Sequence, residues 1–156
     1  MADSFALAFH KAQEGAQQFL PQTGSVLISV TDPDKPEALD VAREFARLGF
    51  GLIATEGTQQ YLSQNGVQCE KILKLNEGRP NIVDAIKNSE IQLVINTPIG
   101  KRGTTDDSYI RKTAIKYKVS YITTIAAARA AAKGIAAYRQ KETQVCSLQR
   151  YHAGIM

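Results

Sequence analysis

The sequence has no tryptophan, two cysteines, two histidines and no apolar run near the roughly 20 residues a membrane helix needs. Each shortage excludes something. Cys69 and Cys146 are isolated thiols without metal-ligand spacing, which removes a disulfide framework and a zinc site from consideration. His10 and His152 stand far apart with no carboxylate or cysteine at useful spacing, so both read as structural or surface residues rather than catalytic ones. Without a basic stripe interleaved with aromatics, nucleic acid is not an expected partner. The N-terminus, "MADSFALAFHKAQEGA", offers neither a charged leader nor an uninterrupted apolar core, and the expectation is a soluble, cytoplasmic protein with no membrane partner. Nor does any nucleophile–base pair or carboxylate pair stand out.

What is present is enough for one good core: 156 residues, 44% of them hydrophobic. The 19 Lys and Arg against 15 Asp and Glu give a net charge of +4, spread along the chain, which favours a small anionic ligand. Residues 5–20 carry Phe5, Ala8, Phe9, Ala12, Ala16, Phe19 and Leu20 at helical spacing, an apolar stripe that needs something to pack on. "FLPQTG" then breaks the pattern, dividing the chain into an N-terminal linker helix at 1–23 and a main body at 24–156.

In the body, strand and helix patterns alternate. Strands are expected at 25–30, 50–54, 70–75, 91–96 and 119–124, and helices at 34–49, 58–66, 80–88, 106–118 and 125–139. Several strands are apolar throughout, the mark of a sheet buried on both faces. The fold class is therefore α/β, doubly wound, with a mainly parallel sheet and an N-terminal helical arm. The alanine run within 126–137 reads as a close-packing helix face.

In such a sheet, ligands sit beyond the carboxyl ends of the strands. Those ends carry Ser29 and then Lys35, Thr55 with Gly57 and Thr58, Lys74, and Asn96 with Thr97. Ammonium groups, hydroxyls and the free N–H groups of a helix start would converge on one rim, as a phosphate requires. The plainer reading of "TEGT" is a helix cap supplied by Thr55 or Thr58. The loop "TPIGKRGTT" (97–105) lacks the order of a phosphate-binding loop; it reads as a basic loop at a site or as a solvated connection. "NEGRP" (76–80) reads as a turn before a helix opened by Pro80, with Arg79 the residue there to test.

The motifs "LISVTDPDK", "ATEGTQQYL", "KLNEGRPNIVDAIKN" and "VINTPIGKRGTTDDSYIRKTAIKYKVSYITT" occur in an order and spacing that resembles the C-terminal regulatory domain of the carbamoyl-phosphate synthase large subunit. The likeness covers essentially the whole chain. It implies a methylglyoxal-synthase-like domain that is not itself catalytic, within a larger glutamine-hydrolysing ligase that makes carbamoyl phosphate for arginine and pyrimidine biosynthesis. UMP as inhibitor and IMP as activator would share one site. The phosphate would lie on Lys35, Thr55, Gly57, Thr58 and Lys74; Ser29, Asn96 and Thr97 would lie near the ribose, and Leu75, Ile82, Asp106 and Ile110 near the base. The implied partners are the rest of the large subunit, which would cover the aromatic stripe of residues 5–20, the small glutaminase subunit, and further copies of the domain. No cofactor is implied here; ATP, magnesium or manganese, and potassium belong to synthetase domains outside this chain.

Two positions depart from the family pattern. Pro98 replaces a hydroxyl residue, and Ile122 stands where an acid that helps bind ornithine is expected. Methylglyoxal synthase, a phosphate-eliminating lyase, is the alternative on the same fold, but its catalytic positions read Thr31-Asp32, Arg79 and Thr97-Pro98-Ile99. A purine-biosynthetic cyclohydrolase domain matches "LNEGRPN" poorly. A pure interaction module would need no ligand groups at the strand ends.

Overall fold

The computed structural model describes residues 4–98, 104–140 and 149. Five strands form the sheet: β1 (Ser25–Ser29), β2 (Gly51–Thr55), β3 (Glu70–Ile72), β4 (Leu93–Asn96) and β5 (Ser120–Ile122). All pair in parallel, in the order β3-β2-β1-β4-β5. Around them lie α1 (Phe5–Gly15), α2 (Lys35–Arg47), α3 (Glu56–Gln64), α4 (Ile82–Lys87), α5 (Thr104–Lys116) and α6 (Ile125–Gln140). The expected α/β doubly wound fold is what the chain adopts.

Alternation along β1 divides the interior. Val26 and Ile28 face one core with Phe45 of α2 and Ile135 of α6, while Leu27 faces another with Ile86 of α4 and Ile110 of α5. Because side chains alternate faces along a strand, an unbroken apolar run satisfies both helical layers at once. The alanines of α6 behave as expected: Ala128, Ala131 and Ala132 are buried, letting the helix lie close to the sheet.

Several boundaries moved, two of them for clear local reasons. The expected strand 70–75 stops at Ile72, since the Lys74 N–H turns to Glu77 Oε2 (2.9 Å) and the chain bends over the strand ends. Helix α4 is opened by Asn81, not Pro80: the Asn81 side chain accepts from Val83 and Asp84 N–H, and Asp84 reaches back to the Asn81 N–H, a reciprocal capping box.

The N-terminal helix is shorter than the expected 5–20. It ends at Gly15 instead of residue 20, and Gln17 takes a positive φ of 57°. Its buried side is Leu7 and His10, packed on α6, whereas Phe5, Ala8, Ala12, Ala16 and Phe19 from the expected stripe face solvent. Two features of α6 fix this rotation. Gly134 leaves room for the α1 backbone, since a Cβ there would sit 3.0 Å from the Ala6 carbonyl oxygen. The His10 ring stacks on Tyr138 with centroids 4.3 Å apart.

His10 Nδ1 is buried without a hydrogen-bond partner, with Glu14 Oε1 4.0 Å away, and burial holds the imidazole pKa below 6.5 despite that carboxylate. An undocked His10 therefore takes a proton more readily than a docked one, so docking is strongest above pH 6.5 and weakens as pH falls below it. Hydrogen exchange should show α1 amides opening more at about pH 5.5 than at about pH 7.5 after correction for intrinsic rates, and His10→Phe should abolish the difference.

Candidate functional site

The order of strands places β1 in the middle, with β2 and β4 leaving its flanks in opposite sequence directions. The chain leaving β1 leads to α2 on one face of the sheet and that leaving β4 to α5 on the other, which opens a crevice at the carboxyl ends. A cavity of about 520 Å³ occupies that place. The structure brings all twelve residues singled out in the sequence to its wall: Lys35, Thr55, Gly57, Thr58 and Lys74, together with Ser29, Leu75, Ile82, Asn96, Thr97, Asp106 and Ile110.

At the β2 side, the chain passes directly from Thr55 into α3. Thr55 occupies the cap position in extended geometry, yet its side chain makes no capping bond. Its Oγ1 instead donates to Ser29 Oγ (3.3 Å), and Thr58 Oγ1 accepts from the Val30 N–H (3.3 Å). The plainer expectation for "TEGT", a hydroxyl cap, is therefore corrected: both threonines tie α3 to the end of β1, and the first-turn N–H groups of α3 receive no side-chain cap. That leaves donors and a positive dipole end directed at the crevice.

Lys35, the first residue of α2, keeps only 18% of its side chain exposed, and its ammonium lies 2.6 Å from Asp32 Oδ1. A Cβ on Gly57 would lie 3.4 Å from that ammonium, which places the lysine head against the first turn of α3. The Asp32 carboxyl is held below its ordinary pKa by the hydrogen bond and charge of Lys35. Lys74 enters from the exposed turn after β3.

At the β4 side, Asn96 is buried and its Nδ2 donates to Asp107 Oδ1 (2.9 Å) and Tyr121 Oη (2.7 Å). Burial pushes the Tyr121 phenol pKa up, keeping it protonated. Thr97 Oγ1 accepts from the Thr31 N–H (3.0 Å), closing the loop after β1 onto β4. Leu75, Ile82 and Ile110 supply an apolar wall.

Sequence reasoning missed Asp32, Asn76 and Asp107 on the wall, and Tyr121 behind it. For Asp32 a signal existed, the i,i+3 spacing to Lys35; for Asp107 the doubled "DD" at 106–107 was one. Arg79 does not line this cavity: its side chain is 81% exposed, 3.9 Å from Asp84. Ile122 is a core residue at the end of β5. Cys69 is half-buried, with its thiol pKa raised by burial. Within loop 97–105, residues 99–103 lie outside the described residues, as do Cys146 and His152. No group of three His, Cys, Asp or Glu able to hold a metal ion occurs among the described residues, and none of their helices is long and apolar enough to cross a membrane.

Taken together, cations, hydroxyls and N–H donors gather at one end, with an apolar wall and fixed amide and carboxylate groups at the other. No histidine or cysteine of the described residues lines the cavity. The arrangement is suited to holding a small phosphorylated molecule.

Residues 37–123 match the family model of the MGS-like domain. Among similar proteins, the carbamoyl phosphate synthase large chain of Acidobacterium capsulatum is 49% identical over 154 residues, covering 99% of this chain and 14% of its own length. That of Archaeoglobus fulgidus is 48% identical over 149 residues, covering 95% and 14%. The C-terminal section of the large chain from Methanopyrus kandleri is 47% identical over 152 residues, covering 97% and 28%. The chain thus spans about a seventh of the length of the first two relatives. In three dimensions it is similar to methylglyoxal synthase from Elizabethkingia anophelis, with a TM-score of 0.58 at 16% identity, covering 70% of this chain and 76% of that one; this likeness concerns the fold.

The Lys35–Asp32 pair leads to a prediction independent of ligand identity. Any dianion entering beside Lys35 must share or displace the Asp32 carboxylate. Asp32→Asn should strengthen inorganic phosphate binding, measured by titration calorimetry, by roughly two- to fivefold, the scale of an exposed ion pair. Weaker binding in the variant would show that Asp32 assists the anion.

Proposed function

We propose that this chain, which belongs to the MGS-like domain family, is the effector-binding regulatory part of a carbamoyl phosphate synthase large chain, with a nucleoside monophosphate seated in the cavity at the strand ends. One observation carries the reading: the uncapped start of α3, Lys35, Lys74 and the Thr55–Thr58 hydroxyls share one cavity with Asn96 and the apolar wall of Leu75, Ile82 and Ile110. A phosphate and a nucleoside need those two ends at once. The likeness to large chains over nearly the full chain supplies the context.

In this reading, UMP inhibits and IMP activates by competing for the same phosphate cradle. An effector shifts a two-state equilibrium only by its difference in affinity for the two states, commonly about 1–3 kcal/mol. Opposite effects then arise at the nucleoside end, where Asn76 and, from the segment 97–106, Thr97 and Asp106 line the cavity. The synthesis of carbamoyl phosphate from bicarbonate, ATP and glutamine-derived ammonia takes place in the remainder of the large chain, with the small glutaminase subunit supplying the ammonia. The lyase alternative is disfavoured because Arg79, at the position of a catalytic acid, lies outside the cavity, and no histidine of the described residues reaches it.

Calorimetric titration of this chain with UMP, IMP and ornithine in separate runs tests the reading. Both nucleotides should saturate, Lys35→Ala should weaken them about tenfold to a hundredfold through loss of a charged hydrogen bond, and ornithine should be silent, because Ile122 offers it no carboxylate. Saturable nucleotide binding that Lys35→Ala leaves unchanged would contradict the assignment of the cradle, and methylglyoxal formed from dihydroxyacetone phosphate would revive the lyase.

A further inference from the structure

Glu56 is the first residue of α3 and stands between Thr55 and Gly57, both of which line the cavity. A carboxylate at that position is drawn to the first-turn N–H groups and the positive end of the helix, the same donors an anionic ligand would use. Here it is held elsewhere. The Lys71 ammonium donates a hydrogen bond to Glu56 Oε1 at 2.7 Å, and that bond, with the lysine's charge, keeps the Glu56 carboxyl below its ordinary pKa and ionised. The fold aims Lys71 at this point. Its strand, β3, is the edge strand beside β2, and Lys71 pairs in register with Ala54. Ala54 belongs to the core that also takes Leu62 of α3, whereas the next residue of β3, Ile72, packs against the opposite core. Alternation therefore puts Lys71 on the α3 side of the sheet, where its long side chain reaches the start of the helix. Both partners are about half exposed, so the pair contributes little to folding, and its effect falls on what else approaches that turn.

We propose that Lys71 is a positioning residue for the anion end of the cavity: it draws the Glu56 carboxylate toward the sheet edge and leaves the first turn of α3 to the phosphate of the ligand. This rests on the nucleotide reading above and adds to it a residue that is not itself on the cavity wall. Without Lys71 the carboxylate turns to those same N–H groups and repels an incoming dianion at close range. The Glu56–Lys71 pair thus differs from Asp32–Lys35, whose lysine is on the wall and must be shared with the ligand. It follows that Lys71 helps a phosphate only while Glu56 is charged. A cation acting through the general field of the protein would help equally in either case.

The experiment is a double-mutant cycle read by calorimetric titration with uridine 5′-monophosphate and, separately, uridine. The chains are the wild type, Lys71→Met, Glu56→Gln and the double variant, with Lys71→Arg and the exposed α6 variant Lys133→Met as controls. Lys71→Met should weaken the nucleotide about threefold to tenfold when Glu56 is present, and less than about twofold in the Glu56→Gln background. Lys71→Arg, which keeps the charge and the reach, should bind the nucleotide as the wild type does, and uridine, which has no phosphate, should respond to none of the changes. An equal loss in both backgrounds overturns the proposal, as does a loss matched by Lys133→Met or shared by uridine; each of these leaves the nucleotide reading standing. Failure of the wild-type chain to bind the nucleotide overturns both. Should Lys71→Met not fold, as judged by thermal melting, Lys71→Gln takes its place in the same cycle.

Discussion

The reversal of strand order beside β1 is the constraint from which the rest follows. The chain adds β2 and β3 on one side of β1 and then crosses to add β4 and β5 on the other, so the segments leaving β1 and β4 lead to helices on opposite faces of the sheet. Register makes the gap specific: Ser29 pairs with Asn96, and Ile28 with Ala54 immediately before Thr55. Three polar strand ends thereby meet around one opening, while the residues below them belong to the two cores. The site is open because the sheet requires it, and polar because only there can these strands afford polarity.

The polar groups of the cavity wall largely pair with one another. The Thr55 hydroxyl goes to Ser29, Thr58 and Thr97 accept backbone N–H groups of Val30 and Thr31, and Lys35 holds Asp32. Such internal pairing holds these side chains in fixed orientations at the rim of the cavity. An anion entering beside Lys35 must exchange with the exposed Asp32 carboxylate, whereas the Asn96 amide is held by Asp107 and Tyr121.

Much of this was legible in the sequence. Apolar runs alternating with amphipathic segments marked a parallel sheet, and polar residues just after each run marked the rim. What escaped depended on direction, which spacing alone does not carry. Asp106 and Asp107 are neighbours, but only the second turns to Asn96. Tyr121 sits inside a strand, where an aromatic residue reads as packing. Hydrophobicity alone did not show which side of α1 docks on α6, because Gly134 and Tyr138 decide which side of the helix can approach. The threonines of "TEGT" carried a real capping signal, overridden by the end of β1 lying within reach.

The central claim is that the start of α3 and Lys35 form the anchoring half of a nucleotide site. Amide chemical shifts of the labelled chain, followed by NMR as uridine 5′-monophosphate and then uridine are added, test it most directly. The account predicts saturable shifts at Glu56, Gly57 and Thr58 with the nucleotide, and far weaker binding of the nucleoside that lacks the phosphate. Shifts confined to another surface, such as the groove of Arg43, Arg47 and Arg129 between α2 and α6, or equal binding of nucleotide and nucleoside, would contradict it.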